Sequence, residues 1–215
     1  MKIETKKLVT LSMFAAIAFI MVTFLRVPIV LFFKYDPKDV MITIAGFIYG
    51  PLSALLVSLV VSFIEMVTIS DTGILGFIMN VISTSVFACL ASYIFIKGKR
   101  TNKAAVLGLG MGYIVMVITM LLWNYLITPL YMAIPREEVV KLLIPAILPF
   151  NLVKGGLNSA FTLLLYKPVV QAFERSNLGL EARYDRPESN RGVVILSLFV
   201  LAACTLFVLA INHKI

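Results

Sequence analysis

The sequence predicts an all-α integral membrane protein whose chain crosses or enters the bilayer as seven helices. Hydrophobic residues make up 60% of the 215 positions, charged residues make up only 14%, and the mean hydropathy is +1.00. An ordinary soluble domain carries about 25% charged residues, which cover its surface. The composition therefore excludes a soluble globular enzyme, a disordered protein and a nucleic-acid-binding domain, even though the formal net charge is +8.

Six uncharged or nearly uncharged runs are long enough to cross about 30 Å of hydrocarbon as helices. They cover residues 8–25, 40–64, 72–96, 104–135, 142–166 and 192–212. The first run follows Lys2, Lys6 and Lys7, so a cleaved signal peptide is an alternative. However, this run is longer than a typical signal-peptide core, and its small-residue triplet 16–18 lies inside it. We expect a retained membrane helix.

The run 40–64 contains Gly50-Pro51, a strong helix-breaking pair, and the charges indicate that the chain turns back there. With that turn, the N-terminus, the segment 97–103 and the segment 167–191 share one side of the membrane. This side then carries twelve basic and five acidic residues, whereas the opposite side is neutral. Because basic loops stay in the cytoplasm, we expect a cytoplasmic N-terminus in a multi-pass protein of the cell membrane.

The predicted helices lie near residues 8–30, 38–49, 51–69, 73–97, 104–130, 146–173 and 192–212. Helices 2 and 3 share only about 45 Å of helix, so at least one of them is short and leaves a recess. Residues 174–191 are polar and are expected to form a cytoplasmic linker. The linker divides a six-helix unit, residues 1–173, from an additional C-terminal helix within residues 192–215.

Several enzyme classes lack their signatures in this sequence. Cys89 and Cys204 lie in apolar runs without a CxxC motif, so we expect packing residues rather than a disulfide. His213 is the sole histidine, which excludes HExxH zinc chemistry and disfavours a histidine-based triad. No GxxxxGK[ST] loop is present, so the chain cannot hydrolyse ATP as a P-loop enzyme, and no metal or catalytic cofactor is expected.

Lys154 is the outstanding polar residue, because it interrupts the run 142–166. Pro149 suits the first turn of a helix, which places Asn151 and Lys154 on one helical side near the membrane surface. Together they offer an ammonium donor and an amide that both donates and accepts. The alternative is a lysine that reaches the headgroup region without binding a ligand.

Three further positions are candidates for binding. Asn124 lies between Trp123 and Tyr125, two aromatics that are also typical of a membrane interface. Asp36 could cap helix 2 or line a site under the loop 33–39, and Asn80 could contact a ligand or a neighbouring helix.

Two other sets of residues receive different expectations. Glu65 and Asp71 flank the connection between helices 3 and 4, and we expect both to be solvated. In helix 1, Ser12, Ala15 and Ala16 provide a small-residue ridge on which another helix can pack, within the protein or from a partner.

The motifs of this chain resemble the substrate-binding S component of energy-coupling-factor (ECF) vitamin transporters, specifically the riboflavin-binding type. The resemblance covers about residues 5–173. It is carried by the segments 34–40, 46–51 and 72–80, by Asn124-Tyr125 with 129–131, and by 149–155. The short Gly50-Pro51 turn also fits the family's six-helix fold, whereas the helix near 192–212 departs from it.

The resemblance implies a non-enzymatic membrane subunit that binds riboflavin and associates with a transmembrane coupling protein and two cytoplasmic ATPases. It also implies that Asn124, Asn151 and Lys154 contact the flavin ring, and that Ser12 and Ala16 contact the coupling protein. The aromatic side chains of Trp123 and Tyr125 suit a ring pocket, and Asp36 and Asn80 are the candidates for the ribityl hydroxyls.

Two alternatives remain open at the level of sequence. The same architecture could bind another vitamin, because a fold does not determine a ligand. An intramembrane enzyme that uses Lys154 as a base is the second alternative, although Ser159 is poorly placed as its nucleophile.

Overall fold

The structure of the protein is a computed structural model that describes residues 5–30, 33–70, 72–175 and 191–212. Its elements are α1 (Thr5–Phe24), β1 (Val27–Val30), β2 (Phe33–Tyr35), α2 (Lys38–Tyr49), α3 (Pro51–Thr68), α4 (Gly73–Lys97), α5 (Asn102–Met132), α6 (Arg136–Leu142), α7 (Leu148–Arg175) and α8 (Arg191–Asn212). A π-helical turn, Leu143–Ile147, joins α6 to α7. The predicted all-α fold is confirmed, while the linker prediction concerns residues that lie mostly outside the described ranges.

The first helix ends earlier than the sequence predicted. We expected a helix to residue 30, but α1 ends at Phe24 and the chain forms an antiparallel hairpin of β1 and β2. The physical reason is Pro28, which lacks a backbone N–H and disfavours helical geometry at Val27. Val27 pairs with Tyr35, and Pro28 pairs with Lys34.

The turn at Gly50-Pro51 is confirmed. Gly50 has φ 97°, a left-handed conformation that suits glycine, and Pro51 starts α3. At this end of the bundle the ammonium of Lys7 lies 5.6 Å from the ring centre of Tyr49. Arg100 donates to the carbonyl oxygen of Ile48 over 3.3 Å. The start of α1, the end of α2 and the α4–α5 connection therefore lie together.

The short helix α2 forms the centre of the bundle. Its 12 residues span about 18 Å, and every residue from Lys38 to Ile48 is buried. It packs against α1, α3, α4 and α7. Phe47 stacks on Phe95 at 4.2 Å, and Tyr166 meets both rings edge-on. Six other helical segments of the described chain are long and apolar enough to cross a membrane, so α2 is the short helix that the sequence required.

The additional helix α8 packs along α7 and reaches β1. The two helices approach closely at Gly156, where an added Cβ would lie 2.8 Å from Cys204 Sγ. Most of the remaining surface of α8 is apolar and exposed, as expected for a helix that faces lipid on its outer side.

Helices α4 and α5 approach each other closely at two glycines of α5. A Cβ at Gly108 would lie 2.6 Å from the carbonyl oxygen of Ala91, and a Cβ at Gly112 would lie 2.6 Å from that of Phe87. Gly110, on the other side of α5, has nothing within 4 Å of such a Cβ. Small residues of this kind allow membrane helices to pack backbone to backbone.

We expect Gly108→Ala and Gly112→Ala each to destabilise the protein by about 1–3 kcal/mol, because the new methyl group forces α5 away from a backbone carbonyl. Gly110→Ala is the matched control and should be neutral or stabilising by about 0.5–1 kcal/mol, since alanine favours helix. Thermal unfolding of the purified protein in detergent measures all three. Equal melting temperatures for the three variants would contradict the close α4–α5 contact.

Candidate functional site

A cavity of about 330 Å³ lies at the end of the bundle opposite the Gly50-Pro51 turn. It is enclosed by the β1–β2 hairpin, the end of α3, the start of α4, the end of α5, α6 and the start of α7. Its polar lining consists of Arg26, Lys34, Asp36, Glu65, Ser70, Thr72, Asn80, Asn124, Thr128 and Lys154. The remaining lining is mainly apolar and includes Leu75, Met79, Trp123, Ile127, Val139, Leu142, Ile147 and Phe150.

Five of the seven binding residues proposed from sequence line this cavity, namely Asp36, Asn80, Trp123, Asn124 and Lys154. The other two are placed differently. Asn151 is buried, and its Nδ2 donates to the carbonyl oxygen of Ile147 at 2.8 Å. Tyr125 is exposed, with the guanidinium carbon of Arg136 at 5.1 Å from its ring centre.

Asn124 is held in place by its own helix. Its Nδ2 donates to the carbonyl oxygen of Met120 at 2.8 Å, and its Oδ1 accepts from Thr128 Oγ1 at 3.0 Å. Because an amide nitrogen has two hydrogens and its oxygen has two lone pairs, one donor and one acceptor position remain. Asn124 can therefore offer both polarities to a molecule in the cavity.

Lys154 forms a buried ion pair that the sequence analysis did not predict. Its Nζ lies 3.2 Å from Oδ2 of Asp39, and both side chains are almost fully buried. Asp39 also accepts from Thr84 Oγ1 at 2.7 Å and from Asn158 Nδ2 at 3.0 Å. An ammonium has three hydrogens, so the ion pair leaves Lys154 able to donate into the cavity that it lines.

The network continues from Asn158 to the hairpin. Tyr35 donates its phenolic hydrogen to Asn158 Oδ1 over 3.0 Å. Burial, and next the carboxylate of Asp39, raise the pKa of Tyr35 above its ordinary value, so the phenol stays a neutral donor. One continuous set of polar contacts thus joins β2, α2, α4 and α7.

The prediction that Glu65 is solvated is wrong, because its side chain is only 5% exposed. One carboxylate oxygen pairs with Arg26, and the other accepts from Lys38 and from Asn80, the latter over 3.3 Å. Two cations and an amide compensate for the burial of this carboxylate. They come from the residue before β1, from α2 and from α4. Asp71, which was predicted to be solvated as well, lies outside the described residues.

Asp36 does not cap α2, since Pro37 occupies the cap position and no side chain makes a capping bond. Its Oδ1 is buried and has no hydrogen-bond partner among the described residues, and the nearest cation, Lys38 Nζ, is 3.9 Å away. A buried carboxylate oxygen without a donor is costly. The Asp36 side chain nevertheless lines the cavity and is 12% exposed, which makes its carboxylate a candidate acceptor there.

The buried and half-buried charges of this region balance, with three cations against three carboxylates. The cations of Arg26, Lys38 and Lys154 lie among the carboxylates of Asp36, Asp39 and Glu65. Lys34 adds an exposed cation at the hairpin. Such a site, with apolar walls and a few fixed polar groups, suits a small molecule that has a large apolar part and no strong charge.

Sequence reasoning missed two networks, one that joins Asp39, Asn158 and Tyr35 and one that joins Glu65 and Arg26. The available signal was the presence of polar residues within otherwise apolar helices, which are costly in a membrane unless they have partners. Asp39 lies in the motif 34–40, yet its partner Asn158 is 119 positions away along the chain.

A helical membrane bundle that encloses an apolar cavity with a few fixed polar groups defines a membrane protein that binds a small molecule. Residues 6–166 match the family model described as "ECF transporter, substrate-specific component". The chain therefore belongs to the family of substrate-specific S components of ECF transporters.

Known members of this family are similar to the chain over most of their length. The riboflavin transporter RibU of Staphylococcus aureus (strain TCH60) is 31% identical over 182 residues, which are 80% of this chain and 94% of that protein. The riboflavin transporter FmnP of Bacillus subtilis (strain 168) is 30% identical over 76% of this chain and 92% of its own.

A solved structure of the S component of a bacterial ECF transporter superposes with a TM-score of 0.67 at 31% identity. The match covers 99% of that chain but only 80% of this one. Since α8 begins at Arg191, it lies beyond the residues that the family model matches.

We expect Asp39→Asn to destabilise the ligand-free protein by about 3–5 kcal/mol, because the ammonium of Lys154 then stays buried without its counter-ion. The double variant Asp39→Asn with Lys154→Met should recover much of this loss. Glu138→Gln is the control, since the Lys141–Glu138 pair is exposed and should contribute only about 0–1 kcal/mol. Unfolding in detergent measures each change, and a neutral Asp39→Asn would contradict the buried pair.

Proposed function

We propose that this chain binds riboflavin and mediates its uptake as the S component of an ECF transporter. The single observation that carries the proposal is the convergence of Asn124 and Lys154 on one cavity beside Trp123 and Phe150. The names of the relatives, riboflavin transporters at about 30% identity, support the choice of ligand.

The chemistry of the cavity complements a flavin. The pyrimidine edge of the isoalloxazine ring presents carbonyl and ring-nitrogen acceptors together with one N–H donor. Asn124 offers both polarities and Lys154 offers donors, so they can satisfy this edge without an opposite charge on the ligand. Asn151 is the third proposed contact, one helical turn before Lys154. Its Nδ2 has a second hydrogen besides the bond to Ile147, but the side chain would have to turn toward the cavity, which it does not line.

The ribityl chain requires partners for its hydroxyls. The carboxylate of Asp36, which lines the cavity, can accept from these hydroxyls, and Asn80 can take part beside Glu65. Trp123 contributes an aromatic wall, while the exposed Tyr125 would contact the ligand only at the entrance.

Active uptake needs a separate source of energy, because the sequence contains no P-loop. We propose a transmembrane coupling protein and two cytoplasmic ATPases as partners. Ser12 and Ala16 are exposed on α1 and form the proposed contact with the coupling protein, whereas Ala15 is turned into the bundle.

The intramembrane enzyme is the weaker hypothesis. Lys154 is engaged with Asp39, and Ser159 donates to the carbonyl oxygen of Gly155 at 2.8 Å without lining the cavity. The family of the chain also consists of substrate-specific transporter components.

We expect the purified chain to bind riboflavin and to lose tryptophan fluorescence on binding, because its single tryptophan, Trp123, lines the cavity. Asn124→Ala should weaken binding by about 1–3 kcal/mol, the cost of losing a buried hydrogen bond. Thr119→Ala is the matched control on α5, since Thr119 Oγ1 donates to the carbonyl oxygen of Val115 and the residue does not line the cavity.

Fluorescence titration with riboflavin measures the affinity of the parent and of both variants. A parent protein that is colourless after purification and indifferent to added riboflavin would contradict the ligand. Equal affinities of the parent and Asn124→Ala would contradict the assignment of this residue.

We further expect a reporter fused to the N-terminus to lie in the cytoplasm and one fused after α8 to lie outside. The reason is the charge of the loops, with a net +7 near the start of α1 and near the α4–α5 and α7–α8 connections. Fusions to a fluorescent protein and to a periplasm- or surface-active phosphatase read the two locations. Reversed signals at both termini would contradict the proposed orientation.

A further inference from the structure

The helix α8, which lies beyond the family match, is directly connected to the hairpin that forms one wall of the cavity. A small cluster of buried residues, Ile29, Tyr35, Ala146 and Val153, joins the hairpin to the start of α7. Side chains of α8 pack against this cluster, namely Cys204, Val208 and Ile211. The far end of α8 thus supports the hairpin from outside the six-helix bundle.

Side chains alternate between two sides along the extended chain of the hairpin. The packing of α8 on one side therefore affects the residues that face the cavity on the other. Lys34 and Asp36 line the cavity, while Tyr35 between them is buried in the cluster and bonds to Asn158. Successive side chains of a strand point to opposite sides. The position of Tyr35 against α7 and α8 therefore fixes where its two neighbours stand on the cavity wall.

The two sides of α8 differ in their exposure. Ser197 is fully buried, and Cys204, Val208 and Ile211 follow at helical spacing along the same side. On the opposite side, Leu206 and Leu209 are 67% and 50% exposed. A helix that only served as a further lipid-facing span would not need a packing stripe that ends at the hairpin.

We propose that α8 is a positioning element of the binding site. By packing against the cluster, it holds the β1–β2 hairpin on α7, keeps Lys34 and Asp36 at the cavity and slows the escape of the bound molecule. Val208 and Ile211 do not line the cavity, and they pack against the cluster that contains Ile29 and Tyr35. The identity of the ligand rests on the proposed function, but the effect on the hairpin does not.

The test compares two double variants of the full-length chain at the same depth of α8. Val208→Ala with Ile211→Ala removes the packing side, and Leu206→Ala with Leu209→Ala removes lipid-facing side chains only. Without ligand, the amides of β1 and β2 should exchange hydrogen about fivefold faster in the first variant and at the parent rate in the second. The dissociation rate of riboflavin should rise by a similar factor in the first variant only.

The second measurement tests whether α8 and the hairpin are coupled. Ile29→Ala combined with Val208→Ala should accelerate exchange less than the product of the two single effects, because both changes weaken the packing of the same cluster. If the double variant does not fold, the single variant Ile211→Ala replaces it and should accelerate exchange by a smaller factor.

Each outcome decides the proposal. Parent-like exchange in β1 and β2 for Val208→Ala with Ile211→Ala, or equal acceleration in the lipid-facing control, would overturn it. If the parent fails to bind riboflavin while exchange in the hairpin still depends on Val208 and Ile211, the proposed function fails and the role of α8 stands. If riboflavin binds and its release is independent of α8, the proposed function stands and the proposed role of α8 fails.

Discussion

The carboxylate of Asp39 is the group on which the ligand end of the bundle depends. It lies at the first turn of the central helix α2, and it meets side chains of α4 and α7 through Thr84, Asn158 and Lys154. A charge at this depth is stable only when its partners remain in place, since removal of one partner leaves the other uncompensated. The relative positions of three helices are therefore tied to one carboxylate.

The same physical constraint explains why the cavity can hold several charges. Arg26, Lys38 and Asn80 surround Glu65 as Lys154, Thr84 and Asn158 surround Asp39. The cations at Glu65 come from Arg26, which precedes the hairpin, and from Lys38 on α2, whereas the cation at Asp39 comes from Lys154 on α7. A longer α2 would fill this volume with its own side chains, and the recess required for a ligand would be lost.

The sequence predicts the long helices, the Gly50-Pro51 turn and the depth of Lys154, because each depends on neighbouring residues. Composition sets the spans, the Gly-Pro pair breaks the helix, and Lys154 stands out against an apolar background. The β1–β2 hairpin was missed because its strands are only four and three residues long and follow directly on an apolar helix. Pro28 was the local signal that could have ended α1 earlier.

The ion pairs are beyond sequence reasoning for a different reason. Glu65 looks like any carboxylate at a helix end, and only the folded chain brings Arg26 and Lys38 to it across 39 and 27 positions. Lys154 is buried within the long helix α7, but its counter-ion on α2 could not be assigned from spacing. Periodicity shows which side of a helix is polar, not which element will face it.

These contacts give different roles to the six-helix unit and to α8. Within the six-helix unit, the networks of Asp39 and Glu65 fix the helices that surround the cavity, yet the hairpin joins them mainly through Tyr35 and Arg26. A hairpin of two short strands is weakly stable by itself and needs packing on another element. In this chain α8 adds that packing on the side away from the cavity. The additional helix thus strengthens the least supported wall of the site without occupying any of its volume.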